Sequence, residues 1–425
     1  MIAFTAIGLL GLLALSIPVG IVLFLLGFGL DIFFSPFPLI RGLGQVVWSS
    51  SNSATLIAIP FFVLLGEILV RSGVAARTYE ALNTWVSWLP GGLIHANIAT
   101  STLFSATSGS SVATAATVAT VAMPQAERLG YDQRLFSGAI AAGGTLGILI
   151  PPSINLIVYG FLTESSIPQL FLAGLLPGLL MALAFMAATV VLCVINPRLG
   201  GPRPSFGWGQ RIASLADLLP ILGLFVAIVG SIYAGWATPT EAAAIGVAIA
   251  LLIAAQQKAL SLSMLRDALR GAVRTSAMVM LVVIGAYVLN YVLTAAGVSR
   301  ALQNMLEGLD ISPLATLFVI IAIYIVLGFF IETLSLMVAT IPIIVPIVVG
   351  LGYDKIWFGV LMIILVEMAL ITPPVGLNLY VVQSARKGRF TDVMLGCIPY
   401  ALVMLGMVGL LIVAPWLALY LPSTF

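Results

Sequence analysis

The chain has 425 residues, 61% of them hydrophobic and 8% charged, with 17 Lys and Arg, 15 Asp and Glu and a net charge of +2. Soluble proteins carry about 25% charged residues, and apolar runs of about 18 residues or more recur along the whole length. That pattern excludes a soluble enzyme and a singly anchored protein and leaves an all-α polytopic membrane protein surrounded by membrane lipid. The near-balanced charge points to no nucleic acid partner.

Residues 4–33 read as a first span rather than a signal peptide, because no basic n-region precedes the apolar run and no small-residue cleavage site follows it. A short stretch around Arg41 and Trp48 separates it from a second span at 53–70. Segment 73–90 is too polar to cross; Val74, Tyr79, Leu82 and Trp85 at helical spacing make it an arm lying in the interface. Residues 91–128 are interrupted by SATSGSSVATAAT. Each half is about 15–18 residues, short for a ~30 Å core, so a hairpin entering and leaving on one side fits best. A helix at 133–163 follows, broken by Pro151-Pro152, and then come spans at 167–195, 216–235 and 237–256. Thr238-Pro239-Thr240-Glu241 reads as a helix start, with proline in the first turn and a carboxylate favoured by the helix dipole. After a span at 274–296 the pattern returns: an arm at 297–311, an interrupted stretch at 313–350 containing GFFIETLSLMVAT, and a proline-broken helix at 355–385. A last span covers 393–421.

The return is a repeat. The offset that takes Asp132 to Asp354 also takes Pro124 to Pro346, Leu129 to Leu351, Phe136 to Phe358 and Pro151-Pro152 to Pro373-Pro374. One transport domain, 1–425, therefore holds a first copy at 53–163 and a second at 274–385. A duplicated membrane unit whose helices break at corresponding positions is the mark of a secondary transporter's binding site. Broken helices persist at membrane depth only where the freed backbone is buried in protein or lines a cavity.

With the N-terminus inside, 14 of the 17 Lys and Arg fall on the cytoplasmic side and only Arg41, Arg300 and Lys355 outside. The copies are then inverted, the first hairpin opening from the cytoplasm and the second from the exterior, with the C-terminus outside.

The first hairpin's tip offers the hydroxyls of Ser108, Ser110 and Ser111 and a freely turning backbone at Gly109. Beside it, Pro151 and Pro152 cannot donate to the carbonyls before them, that of Ile150 included, and Asn155 adds an amide. Oxygen-only ligands suit a hard cation, and unwound carbonyls are how transporters hold sodium. The second copy offers Glu332, Thr333 and Ser335 at its tip and Thr372, Pro373, Pro374 and Asn378 at its break. Among acids inside apolar stretches, Glu332 is the strongest functional candidate; Glu67 and Glu367 are equally well explained by span ends or local pairs. His95, the single histidine, has no partner motif, and Cys193 and Cys397 each lie alone in apolar runs, so no transition-metal site is expected.

At SGSSVATAATVATVAMP, GTLGILIPPSINLIVYG, ATPTEAAAIG and LITPPVGLNLYVV the chain resembles the large membrane subunit of the tripartite ATP-independent periplasmic (TRAP) transporters, over essentially its full length. The resemblance implies an inverted-repeat elevator-type secondary transporter in a bacterial inner membrane, importing an organic anion such as a sialic acid or a C4-dicarboxylate on a sodium gradient. Its partners would be a small four-helix membrane subunit and a periplasmic substrate-binding protein. No small-subunit segment precedes Met1, so that subunit is expected as a separate chain. Carried over, one sodium lies at Ser108–Ser111 with the Ile150–Pro151 break and Asn155, and another at Glu332, Thr333 and Ser335 with Thr372, Pro373 and Asn378. The solute lies between the tips, near Ser111, Pro152, Ser335 and Pro374. The rival is a one-component sodium–carboxylate transporter, which needs no binding protein. An intramembrane serine hydrolase would need a base beside the tip serines, and His95 stands in no such motif.

Overall fold

The chain turns back on itself within its first 34 residues. In the computed structural model, which describes residues 2–15, 17–35, 38–202, 204–298 and 312–424, α1 (Ile2–Ala14) and α2 (Val19–Phe34) are separate helices. Phe4 meets Phe33 and Phe34 edge-on at 5.7 and 5.5 Å between ring centres, so the two run antiparallel. This corrects the single span at 4–33. Pro18 precedes α2 and denies the residue before it a helical conformation. It also removes the basis for a cytoplasmic N-terminus, because the start of α1 now lies at the same end as Arg41.

After α3 (Leu43–Ser51), the first copy comprises α4 (Ala54–Arg71), the arm α5 (Val74–Val86), a hairpin of α6 (Leu93–Ser108) and α7 (Ser111–Leu129), and the broken helix α8 (Gln133–Leu149) and α9 (Ile154–Thr163). Three long helices follow: α10 (Ile167–Ile195), α11 (Trp208–Phe225, continued through a π turn to Tyr233) and α12 (Pro239–Gln256). Thr238 and Glu241 cap α12 reciprocally, the Thr238 N–H donating to Glu241 Oε2 at 2.8 Å.

The second copy begins with α13 (Leu262–Ala295). Its arm at 297–311 lies outside the described residues except Gly297 and Val298, as do Arg203 and Arg300. The second hairpin is α14 (Pro313–Gly328) and α15 (Thr333–Gly350), and the second broken helix is α16 (Lys355–Ala369) and α17 (Leu377–Ser384). The expected last span ends early: α18 (Phe390–Val413) stops before Pro415, and α19 (Trp416–Ser423) is a separate short helix against α10.

The duplicated Leu-Gly-Tyr-Asp has a local cause. Gly130 and Gly352 take left-handed backbone (φ 72° and 88°) where the hairpins end. Asp132 and Asp354 then cap the next helices, each accepting from two backbone N–H groups. The copies are inverted, because Lys355 Nζ at the start of α16 donates to the carbonyls of Thr163 and Glu164 at the end of α9.

Helix α13 packs on α2, α3 and α4, and α12 on α4, while α8 packs on α6, α7 and α18. Every residue of α8 from Leu135 to Leu149 is buried, which its glycines and alanines permit by letting neighbouring backbones approach. The tightest crossing is Gly138 on Gly396 of α18, where a Cβ on either would collide with the other helix's backbone. Gly138→Leu is therefore expected to destabilise by about 1–3 kcal/mol or more through overpacking, read as a lower apparent Tm of the solubilised protein. An unchanged Tm would show that the crossing tolerates a side chain.

Candidate functional site

The two tips face one cavity of about 330 Å³, lined by Ser108–Ala113 from the first hairpin and Glu332–Leu334 from the second. Ile148, Ile154 and Asn155 of the first broken helix, Leu370 of the second and Gly66, Glu67 and Thr275 of α4 and α13 complete much of its wall. Three helices start there: α7 at Ser111, α9 at Ile154 and α15 at Thr333. Helix N-termini present free N–H groups and a positive dipole end, which favours an anion.

Gly109 occupies left-handed backbone (φ 59°) at the first tip, and a Cβ there would stand 3.1 Å from the Pro152 carbonyl oxygen. Tip and break are thus packed together. Most of the predicted hydroxyls are already engaged. Ser108 Oγ pairs with Thr114 Oγ1 at 2.8 Å, Ser110 Oγ accepts from the Ala113 N–H at 3.4 Å, and Ser111 Oγ donates to Glu367 Oε2 at 2.8 Å. Ile150 closes α8, its N–H donating to the Leu146 carbonyl at 3.0 Å. Asn155 is buried and its Nδ2 has no partner.

In the second copy, Glu332 caps α15 by accepting from the Leu334 and Ser335 N–H groups at 3.1 and 3.0 Å. Its prominence as an intramembrane acid thus has a local structural cause. Thr333 lines the cavity with a buried, partnerless hydroxyl. Thr372 Oγ1 donates back to the Met368 carbonyl at 2.8 Å. Ser335, Thr372, Pro373, Pro374 and Asn378 are not part of the cavity wall, nor are Pro151 and Pro152. Both breaks contain a cis Pro-Pro bond, but Pro151 and Pro152 are buried whereas Pro373 and Pro374 are exposed.

Asn378 is engaged with the first copy: α17 rests on α7 and α8, and Asn378 Nδ2 donates to the Ala141 carbonyl at 3.0 Å. Conversely α9, which carries Asn155, packs on α15 of the second copy. Each post-break half-helix thus crosses to the opposite repeat. Of the other acids, Glu67 pairs with Arg71 one turn on, the local pairing that sequence allowed. Glu367 is 1% exposed and bonded to Ser111. Its position in an apolar run shortly before the break was the available signal; its partner, 256 positions away, was not.

Residues 6–417 match the family model described as the tripartite ATP-independent periplasmic transporter, DctM component. The chain is 34% identical over 385 residues to the C4-dicarboxylate TRAP transporter large permease protein DctM of Pseudomonas aeruginosa, covering 90% of each. It is 32% identical over 419 residues to the sialic acid TRAP transporter large permease protein SiaM of Vibrio cholerae, covering 98% of this chain and 97% of that one. The isethionate TRAP transporter permease protein DctMQ of Oleidesulfovibrio alaskensis is 31% identical over 366 residues, which are 85% of this chain but 57% of that protein. Among solved structures, the YdaH transporter of Alcanivorax borkumensis matches with a TM-score of 0.63 at 14% identity, covering 93% of this chain and 96% of that one. MtrF of Neisseria gonorrhoeae matches at 0.55 and 13%, covering 90% and 83%. At these identities the structural likeness is one of fold.

Proposed function

The chain belongs to the DctM component family of the tripartite ATP-independent periplasmic transporters, membrane permeases rather than enzymes, and from that premise we propose that it is the large subunit of a sodium-driven importer of carboxylate-bearing solutes. The solute class follows the names of the C4-dicarboxylate and sialic acid relatives. The observation that carries the reading is the single cavity between two inverted hairpin tips, with helix starts from both copies converging on it. Among the described residues no arginine lines it, so the solute carboxylate is held by the N-terminal ends of α7 and α9 and by tip hydroxyls.

The hairpins and broken helices form the moving body, and α2, α4, α12 and α13 the frame against which it slides between the two sides. Supporting an alternating mechanism is the unequal state of the two copies, one break buried and the other exposed. The Arg-rich end faces the cytoplasm of a bacterial inner membrane, which puts the start of α1 and the end of α18 on the periplasmic side. The cargo reaches the cavity from a periplasmic binding protein. A small membrane subunit completes the assembly, as a separate chain or, by analogy with the longer DctMQ relative, as part of a longer one. Sodium is the coupling ion; the residues that fit it are oxygen donors at the tips and breaks, and when bound it supplies positive charge beside the anionic solute.

Ser111→Leu and Ser110→Leu should each abolish uptake by the reconstituted three-component system while leaving insertion intact, since the spans stay apolar and the tip fills with carbon. Pro151→Ala and Pro373→Ala should impair it, because each restores a donor that lets the helix reclaim freed carbonyls. Wild-type, sodium-dependent uptake by the Ser111→Leu variant would place the site somewhere else.

A further inference from the structure

Helix α13 begins with a face that the described residues leave open. Its 34 residues reach about 51 Å at about 1.5 Å each, well beyond a hydrocarbon core of about 30 Å. All its charges fall between Leu262 and Arg274, which puts these first turns at headgroup depth. Met264, Ala268, Ala272 and Ser276, one turn apart, form the buried side that continues into the apolar remainder of the helix.

Two stripes run beside that buried side. Leu262, Leu269 and Val273 are 85%, 44% and 66% exposed, and Leu265 joins them. Arg266, Arg270 and Arg274, spaced by four, line the same shallow surface groove. Little within the chain answers this positive charge. Among the described residues only Arg270 of the three meets a carboxylate, Asp267 Oδ1 at 3.8 Å, with both side chains more than half exposed, a pairing worth little in water. Glu67 of α4, which packs against Gly271, is already paired with Arg71.

We propose that this face binds an anionic phospholipid, its phosphate held by Arg266, Arg270 and Arg274 and an acyl chain lying along Leu262, Leu265, Leu269 and Val273. A lipid presents a phosphate and an alkyl chain side by side at this depth, and the two stripes match both parts. Guanidinium groups pair with phosphate oxygens two at a time, and their stems can lie on apolar surface while the heads reach the headgroup layer. A zwitterionic lipid carries its own ammonium beside the phosphate, so a net positive stripe favours a lipid that lacks one. A free anion would answer the arginines and leave the leucines in water. Because α13 packs on α2, α3 and α4, a lipid held here would set the depth of those helices in the bilayer. The inference is independent of the solute and of the coupling ion.

The test is native mass spectrometry of the full chain in neutral detergent, titrated with phosphatidylglycerol, phosphatidylcholine or glycerol 3-phosphate, with apparent Tm followed in parallel. Phosphatidylglycerol should bind at least about tenfold more tightly than phosphatidylcholine and raise Tm, and glycerol 3-phosphate should do neither. The triple variant Arg266→Gln, Arg270→Gln, Arg274→Gln should bring the two lipids within about twofold of each other while keeping its Tm in phosphatidylcholine. Arg266→Gln alone, with a smaller loss in the same direction, carries the test if the triple variant does not fold. Leu262→Ser with Leu269→Ser should weaken both lipids alike. Equal binding of the two lipids by the wild-type chain, or an undiminished preference in the arginine variants, would overturn the site. Displacement of the lipid by glycerol 3-phosphate would make it a free-phosphate site, and loss of the lipid on dimerisation would give the face to a second copy; either overturns the proposal.

Discussion

Replacing sodium by choline on both sides of the membrane should abolish concentrative uptake by proteoliposomes that hold this chain with its partners, and adding or withdrawing ATP should change nothing. No GxxxxGK[ST] phosphate-binding loop occurs in the sequence, in keeping with the proposed ion-driven mechanism. A tenfold sodium gradient supplies about 1.4 kcal/mol per ion, and a potential of 100 mV about 2.3 kcal/mol per net charge moved. Those terms suffice to accumulate a scarce anion if sodium and solute move together. Coupling requires that the ion shape the site the solute sees. Ser111 begins one of the helices that point at the cavity and is one of the tip oxygen donors proposed for sodium, so ion and solute would act on the same turn of chain. Uptake at the same rate in choline would end the sodium reading.

The chain alone, reconstituted without a small subunit or a binding protein, should accumulate no free solute at an appreciable rate. A body that slides through a bilayer needs a frame broad enough to stay put. Here α11 presents Leu215, Leu219, Leu222 and Val226 as an exposed apolar face, suited to lipid or to a membrane-embedded partner. Together with α5, which packs on α11 through the Trp85 Nε1 bond to Ser214 Oγ at 3.2 Å, this is the expected seat of the small subunit. Among the described residues no arginine lines the cavity, and the proposed reading leaves selection and capture to the soluble partner. Reconstitution with each partner omitted in turn decides the matter. Full-rate uptake by the lone chain would favour a one-component sodium–carboxylate transporter instead.

Features with local causes were legible in the residues. Pro151-Pro152 and Pro373-Pro374 end helices because proline lacks an N–H, and Leu-Gly-Tyr-Asp repeats because a left-handed glycine and a capping aspartate end one helix and start the next. The repeat, its breaks and the tips at Gly109 and Glu332 followed from such signals alone. Even there, local reading missed the division of 4–33 and of 393–421, because apolar residues flank Pro18 and Pro415 on both sides and composition marks no boundary.

What packing alone decided is which distant groups meet. Glu332 and Glu367 look alike in sequence, yet one caps its own helix and the other reaches Ser111 of the opposite copy. Asn378 sits beside Ala141 of the first copy because α17 crosses over it. Backbone chemistry acts over a few residues and is written in neighbours. A buried carboxylate's partner depends on how whole helices lie against one another, and only the folded chain supplies that.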